Sequence, residues 1–403
     1  MVTRRQILKL GASALALAGC RTVIDQLAAL APTTIPLDGP PSSSPTVPPP
    51  APTAAPLPTE ASPLSTPTTE ASPLATPARP TSGAQAVRPT VILNAPEGGS
   101  KLGLHVTFGP RDGLDALLAR CAQAGRPVAV VKCVDDFEAA FMAKQHSDKT
   151  LTVGRVNAAR LDKKTFVDMQ AWEPPEFSPA IGVAYTSAQD AARVYYDLVK
   201  PIWALNPVVD VWETFNEFSW HWGWQADFYL ALMDLAEADG YRLGLWSASA
   251  GNPPEEFYPD IARACRRAKE HGHHILCLHE YNFDGLLRDA SKNLVTRYRQ
   301  LYRHLADVDA VIPLVISEAG ENAGGGFTGV DVFMADFAWY DRQLVKDDYV
   351  VGCALWTLGD WNGANYQAAL PALGAYLTGE GYVVGSSTPY HLNLPLIVNS
   401  SSQ

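Results

Sequence analysis

From residue 102 onward, short apolar runs alternate with longer amphipathic stretches, and the alternation occurs eight times. The apolar runs lie at 102–108, 128–134, 151–156, 208–215, 243–248, 275–279, 314–317 and 352–357. Helical periodicity is found between them at 113–124, 188–204, 225–238, 260–271, 294–306 and 332–346. Apolar strands separated by helices of this length are parallel neighbours joined by crossovers. Eight such units within about 280 residues fit a closed (β/α)₈ TIM barrel better than a doubly wound sheet. No Gly-x-Gly-x-x-Gly follows the first strand, so a dinucleotide-binding architecture has no support.

Composition sets where the barrel begins. Of the 32 prolines in the 403-residue chain, 17 fall between residues 32 and 90, with 11 threonines and 7 serines. Such a stretch buries too little apolar surface to offset its ordering entropy, and it favours an extended polyproline II stalk. It includes a repeat, Thr59-Glu60-Ala61-Ser62-Pro63-Leu64 returning at 69–74. The expected organisation is an export signal at 1–20, a disordered linker at 21–90, the barrel at 91–380 and a tail at 381–403. Six of the 31 basic and four of the 42 acidic residues precede residue 91, so the remainder carries 25 against 38, a net of −13. An acidic body of this kind excludes nucleic acid, which requires basic surface to displace counterions.

The first residues read as an export signal. Arg4 and Arg5 precede Leu8 and Lys9 in a twin-arginine-like pattern, and the apolar run 11–19 is too short for a stable membrane span. It ends in Leu17-Ala18-Gly19-Cys20, which resembles the lipobox of bacterial lipoproteins. That resemblance implies acylation of Cys20 and a protein held at the outer face of a membrane by its lipid alone. The remaining cysteines, 121, 133, 265, 277 and 353, show no C-x-x-C spacing and are expected as free core residues.

In such a barrel, chemistry gathers at the carboxyl ends of the strands. The fourth strand runs into Trp212-Glu213-Thr214-Phe215-Asn216-Glu217, the sixth into His279-Glu280-Tyr281, and the seventh into Ser317-Glu318-Ala319-Gly320. Apolar strands four and seven each deliver a carboxylate to the mouth, and glycosidic cleavage requires such a pair. Taken singly, Asn216-Glu217 would suit a hydrogen-bonded strand end, and Glu318 the N-terminus of a helix.

The constellation resembles clan A glycoside hydrolases, the retaining (β/α)₈ glycosidases that include families 5 and 39. The resemblance spans most of 100–375 but is carried by a few short motifs. It implies Glu217 as acid/base, Glu318 as nucleophile, Asn216 on the substrate 2-hydroxyl, Tyr281 donating to the nucleophile and Trp356 flooring the cleaved sugar. His279 is expected against sugar hydroxyls. Two positions depart from the family pattern. Phe218 stands where proline is common, and the barrel-floor arginine of strand two is missing, with Arg155 on strand three as its expected replacement. Glu213 is expected to be structural, about 13 Å from Glu217 along a continuous strand.

Trp172, Trp220, Trp222, Trp224 and Trp361 fall in expected loops, where exposed rings make platforms for sugars; Asp360 adds a hydroxyl contact. No metal and no cofactor is expected. His274 and His279 lie five residues apart on one strand, roughly 16 Å, too far to share an ion. The sequence therefore describes an exported, lipid-anchored, monomeric retaining glycoside hydrolase with a polysaccharide or oligosaccharide substrate. A non-catalytic carbohydrate-binding lipoprotein and a peptidoglycan-cleaving muramidase are the alternatives.

Overall fold

A computed structural model describes residues 91–157, 187–218, 221–361 and 363–385. The expected export signal with Cys20, the linker, Trp172, Trp220 and the tail beyond residue 385 lie outside them. Eight parallel strands close into a barrel in sequence order: β2 (Leu102–Val106), β3 (Val130–Val134), β4 (Leu151–Arg155), β5 (Val211–Glu213), β6 (Leu243–Ala248), β7 (Ile275–Tyr281), β8 (Leu314–Gly320) and β9 (Val350–Leu358). Outside the barrel, β1 (Val91–Leu93) pairs antiparallel with β10 (Tyr382–Val384), with Val91 opposite Val384.

The outer layer holds α1 (Leu114–Gln123), α2 (Glu138–His146), α3 (Ala188–Leu205), α4 (Trp222–Ala238), α5 (Tyr258–His271), α6 (Tyr298–Asp307), α7 (Val330–Leu344) and α8 (Leu370–Thr378). Local signals account for several boundaries. Ser187 caps α3 by accepting from Asp190 N at 3.1 Å, and α5 ends at Gly272 in the left-handed region. Sequence periodicity misses α2 and α8. α8 reads Leu-Pro-Ala-Leu-Gly-Ala-Tyr-Leu-Thr, so it has no polar face to betray a helical period. The helix expected from residue 294 starts at Tyr298, because Thr296 takes a positive φ and gives its N–H to Glu280.

Strand alternation divides the core into two. Val130, Val153, Val211, Ile275, Cys277, Val315 and Ala354 fill the barrel interior, while their strand neighbours pack against the helices. Both faces of every strand are thus covered, as parallel strands require. All five cysteines of the barrel are buried and free.

The alternation breaks at one functionally decisive place. On β8 Val315 faces inward and Ile316 outward, so strict parity would turn Glu318 toward the helices. The β7–β8 register instead slips between Leu278 and His279: Leu278 pairs with Ile316, but His279 pairs with Glu318. Ser317 is the extra residue, and this bulge turns Glu318 into the barrel mouth.

Candidate active site

Above the apolar interior lies a layer of ionisable residues, each two positions beyond an inward-facing apolar one. Val130 is followed by Lys132, Val153 by Arg155, Val211 by Glu213 and Cys277 by His279. With period two, the inner face of each strand is apolar below and charged at the mouth. The charges meet at Glu318. Lys132 Nζ lies 3.0 Å from Glu318 Oε1 and 2.8 Å from Glu213 Oε2, and Arg155 Nη1 lies 3.2 Å from Glu318 Oε1. Tyr281 OH donates to Glu318 Oε2 at 2.9 Å.

Burial alone would raise the pKa of Glu318, but His279, Lys132 and Arg155 outweigh it and hold the carboxyl well below 4.5. Burial likewise opposes ionisation of Glu213, yet Lys132, Arg155 and His279 bring it down to about 2. Both carboxylates are therefore charged at neutral pH, and Lys132, fully buried between them, and Arg155 beside Glu318 face them with two cationic side chains. Burial holds His105 well below 6.5, so its imidazole is neutral; its Nδ1 meets Thr357 Oγ1 at 2.9 Å and its Nε2 stands 3.6 Å from Glu318 Oε1.

Tyr281→Phe should test this arrangement. Loss of the hydroxyl removes a donor to the charged form, so the pKa of Glu318 rises and the acidic limb of the pH–rate profile moves to higher pH. Turnover should fall by roughly 10²–10³-fold, as for loss of one preorganised donor. An unchanged rate and profile would show that the hydroxyl contributes nothing to Glu318.

Glu217 reaches the same point by a different backbone route. β5 ends at Glu213, and Glu217 takes a left-handed conformation with φ of 54°, its N–H donating to Ser247 O at 3.0 Å. The 13 Å expected between Glu213 and Glu217 assumed a continuous strand, which the chain leaves after Glu213. His279 Nδ1 lies 3.0 Å from Glu217 Oε1 and 3.4 Å from Glu318 Oε2, and these three residues each present a polar atom within 4.8 Å of the others. A divalent ion could use such donors, but Lys132 and Arg155 already meet Glu318 Oε1, and two cationic side chains there oppose a further positive charge. Charge and hydrogen bonding thus favour a carboxylate pair over a metal centre.

The other expected residues divide by exposure. Asn216 lies at the mouth, and its Oδ1 accepts from Arg155. Arg155 consequently bonds both Asn216 and Glu318, and it is buried. His279 is buried as well, and its Nδ1 stands between the two carboxylates. Trp356 is half-buried, with its Nε1 donating to Gly324 O at 3.1 Å, and Trp361 stands exposed beside it. Trp222 corrects the reading of it as a platform: it opens α4, is 2% exposed and packs near Phe257. Trp224 is likewise helical and stacks on Phe228. His274 serves the framework, with its Nδ1 accepting from Leu243 N–H and its Nε2 paired with Glu237.

Lys132 and His105 were missed by sequence reasoning. Their signal was an ionisable residue inside an apolar strand, in Val-Val-Lys-Cys-Val and Leu-Gly-Leu-His-Val. A buried polar group of that kind must have a partner.

No family model matches the chain, and no curated protein matches it. Among solved structures it is distantly similar to an endo-β-1,3-glucanase from Amycolatopsis mediterranei in complex with laminaripentaose, at 16% identity over 69% of this chain and 100% of that one, with a TM-score of 0.36. It is similar also to an endoxylanase from Clostridium papyrosolvens, at 11% identity over 71% and 74% of the two chains and a TM-score of 0.39. A glucosidase from Croceicoccus marinus is 14% identical over 71% of this chain and 68% of its own, with a TM-score of 0.44.

Proposed function

We propose that the chain is a retaining glycoside hydrolase working by double displacement. One observation carries this reading: Glu217 and Glu318 meet at the barrel mouth with polar atoms within 4.8 Å. An approach this close of one oxygen from each suits direct attack, with carboxyls about 5–5.5 Å apart, better than inversion, which sets a water between carboxyls about 6.5–9.5 Å apart. Glu318, charged and held by Lys132, Arg155 and Tyr281, attacks the anomeric carbon. Glu217, more exposed and beside His279, gives its proton to the departing oxygen. A water then yields a proton to Glu217 and attacks the same carbon, which frees Glu318 and restores both groups. The product keeps the anomeric configuration of the substrate. Proton NMR of the first product formed from aryl glycosides and polysaccharides tests this directly, since a product of inverted configuration would overturn the double displacement.

We propose further that the enzyme is exported and lipid-anchored through Cys20, on the strength of the paired arginines, the short apolar run and Leu17-Ala18-Gly19-Cys20. Cys20→Ala should release it from the membrane fraction or leave an unprocessed precursor, with catalysis intact. Labelling with a radioactive fatty acid measures this, and an unlabelled wild type would remove the anchor.

A further inference from the structure

Two exposed aromatic rings at the mouth belong to loops that are locked together. The segments following β2 and β9 approach backbone to backbone: Thr107 N donates to Leu358 O at 2.8 Å and Asp360 N to Phe108 O at 2.5 Å. The approach depends on two glycines. A Cβ on Gly359 would stand 2.6 Å from Phe108 O and one on Gly109 2.6 Å from Asp360 Cβ, and both residues have positive φ. Further out, Asn365 Nδ2 donates to Pro110 O at 3.0 Å and Gln367 Nε2 to Asp112 Oδ2 at 3.3 Å. The result is one wall rather than two independent loops.

The wall presents Phe108, 37% exposed, and Trp361, 47% exposed. Trp361 stands edge-on to Trp356 with centroids 5.7 Å apart, and Trp356 lies 6.3 Å from the ring of Tyr281, the donor to Glu318. Aromatic surface therefore leads from the nucleophile to the rim. Ring order places β2 and β9 side by side and β5, which leads to Glu217, across the barrel from them. The acid stands beside the leaving oxygen. The sugar transferred to Glu318 consequently lies on the side of the wall, and a sugar attached to its non-reducing end extends onto Phe108 and Trp361. Flat apolar rings held rigidly at a rim suit the C–H faces of a pyranose, and Asp360 between them is an exposed acceptor for a hydroxyl.

We propose that Phe108 and Trp361 form a subsite for a second sugar on the non-reducing side of the cleaved bond, so that the enzyme cuts within a polysaccharide chain instead of trimming single sugars from that end. The inference rests on the glycosidase reading above and adds to it the mode of action. The binding energy of the second sugar is expressed at the distant reacting centre, so chain length should govern kcat/KM.

Nitrophenyl glycosides bearing one, two and three sugars, in the glucan, mannan and xylan series, provide the test with the intact protein. For the series the wild type accepts, kcat/KM should rise roughly 10- to 100-fold from one sugar to two, and Phe108→Ala with Trp361→Ala should reduce the rise to less than about 3-fold. On the matching polysaccharide, the wild type should lower viscosity well before reducing ends accumulate. A rise that survives in the double variant, or a wild type releasing only single sugars, would overturn the subsite while leaving the glycosidase reading in place. A wild type inert on every substrate would overturn the glycosidase reading, and the subsite with it. Both rings are exposed, so a thermal melt of the double variant should match that of the wild type and exclude a folding defect.

Discussion

Glu318→Gln should lower turnover by at least about 10⁴-fold, because an amide cannot form the glycosyl ester that divides the reaction into two steps. The substitution is isosteric. Lys132 and Arg155 still meet an oxygen at the Oε1 position, and Lys132 keeps Glu213 2.8 Å away. The fold should therefore survive, and affinity for an oligosaccharide product should change little. Turnover of an activated aryl glycoside, calorimetric sugar binding and a thermal melt read the three quantities separately. Activity within ten-fold of the wild type would remove Glu318 as nucleophile. A wild type that binds sugar but never cleaves it would favour the carbohydrate-binding lipoprotein instead.

Glu217→Gln should show a different signature, one that depends on the leaving group. With a sugar alkoxide departing, the proton from Glu217 is needed and the loss should be roughly 10²–10⁴-fold. A dinitrophenolate leaves without protonation, so the first step should survive with such a substrate. The second step then lacks its base, and the glycosyl-enzyme on Glu318 should accumulate as a mass increase of one sugar unit on the intact protein. Azide needs no deprotonation; it should relieve the block and yield a glycosyl azide of retained configuration. Equal losses on good and poor leaving groups would exclude Glu217 as the general acid, and the proximity of its carboxyl to Glu318 would then need another explanation.

The eight strands were legible because their signal is local. Short runs rich in Val, Ile and Leu, separated by amphipathic stretches, describe buried parallel strands whatever packs on them. All eight fall where the runs lie, although β5 is shorter than its run and β7 and β8 extend further toward the mouth. The two carboxylates were legible for a related reason: each lies just beyond the end of an apolar run, and strand ends in a barrel share one rim.

What the sequence alone determined is thus the barrel and the presence of Glu217 and Glu318 at one of its ends. Only the tertiary structure decided how these residues face and what they touch. Glu318 points into the mouth because the register slips at Ser317, and a register is a relation between two strands that neither strand encodes alone. Lys132 became part of the site because β3 and β5 place it against Glu213 and β8 brings Glu318 to the same ammonium group. Trp222 was hidden and Trp361 left exposed by the way α4 and the loop after β9 pack, although both had looked alike as tryptophans in loops. Local pattern sets an element by short-range preference and burial, whereas facing and partnership are set by neighbours far apart in the chain, whose side chains meet only once the barrel closes.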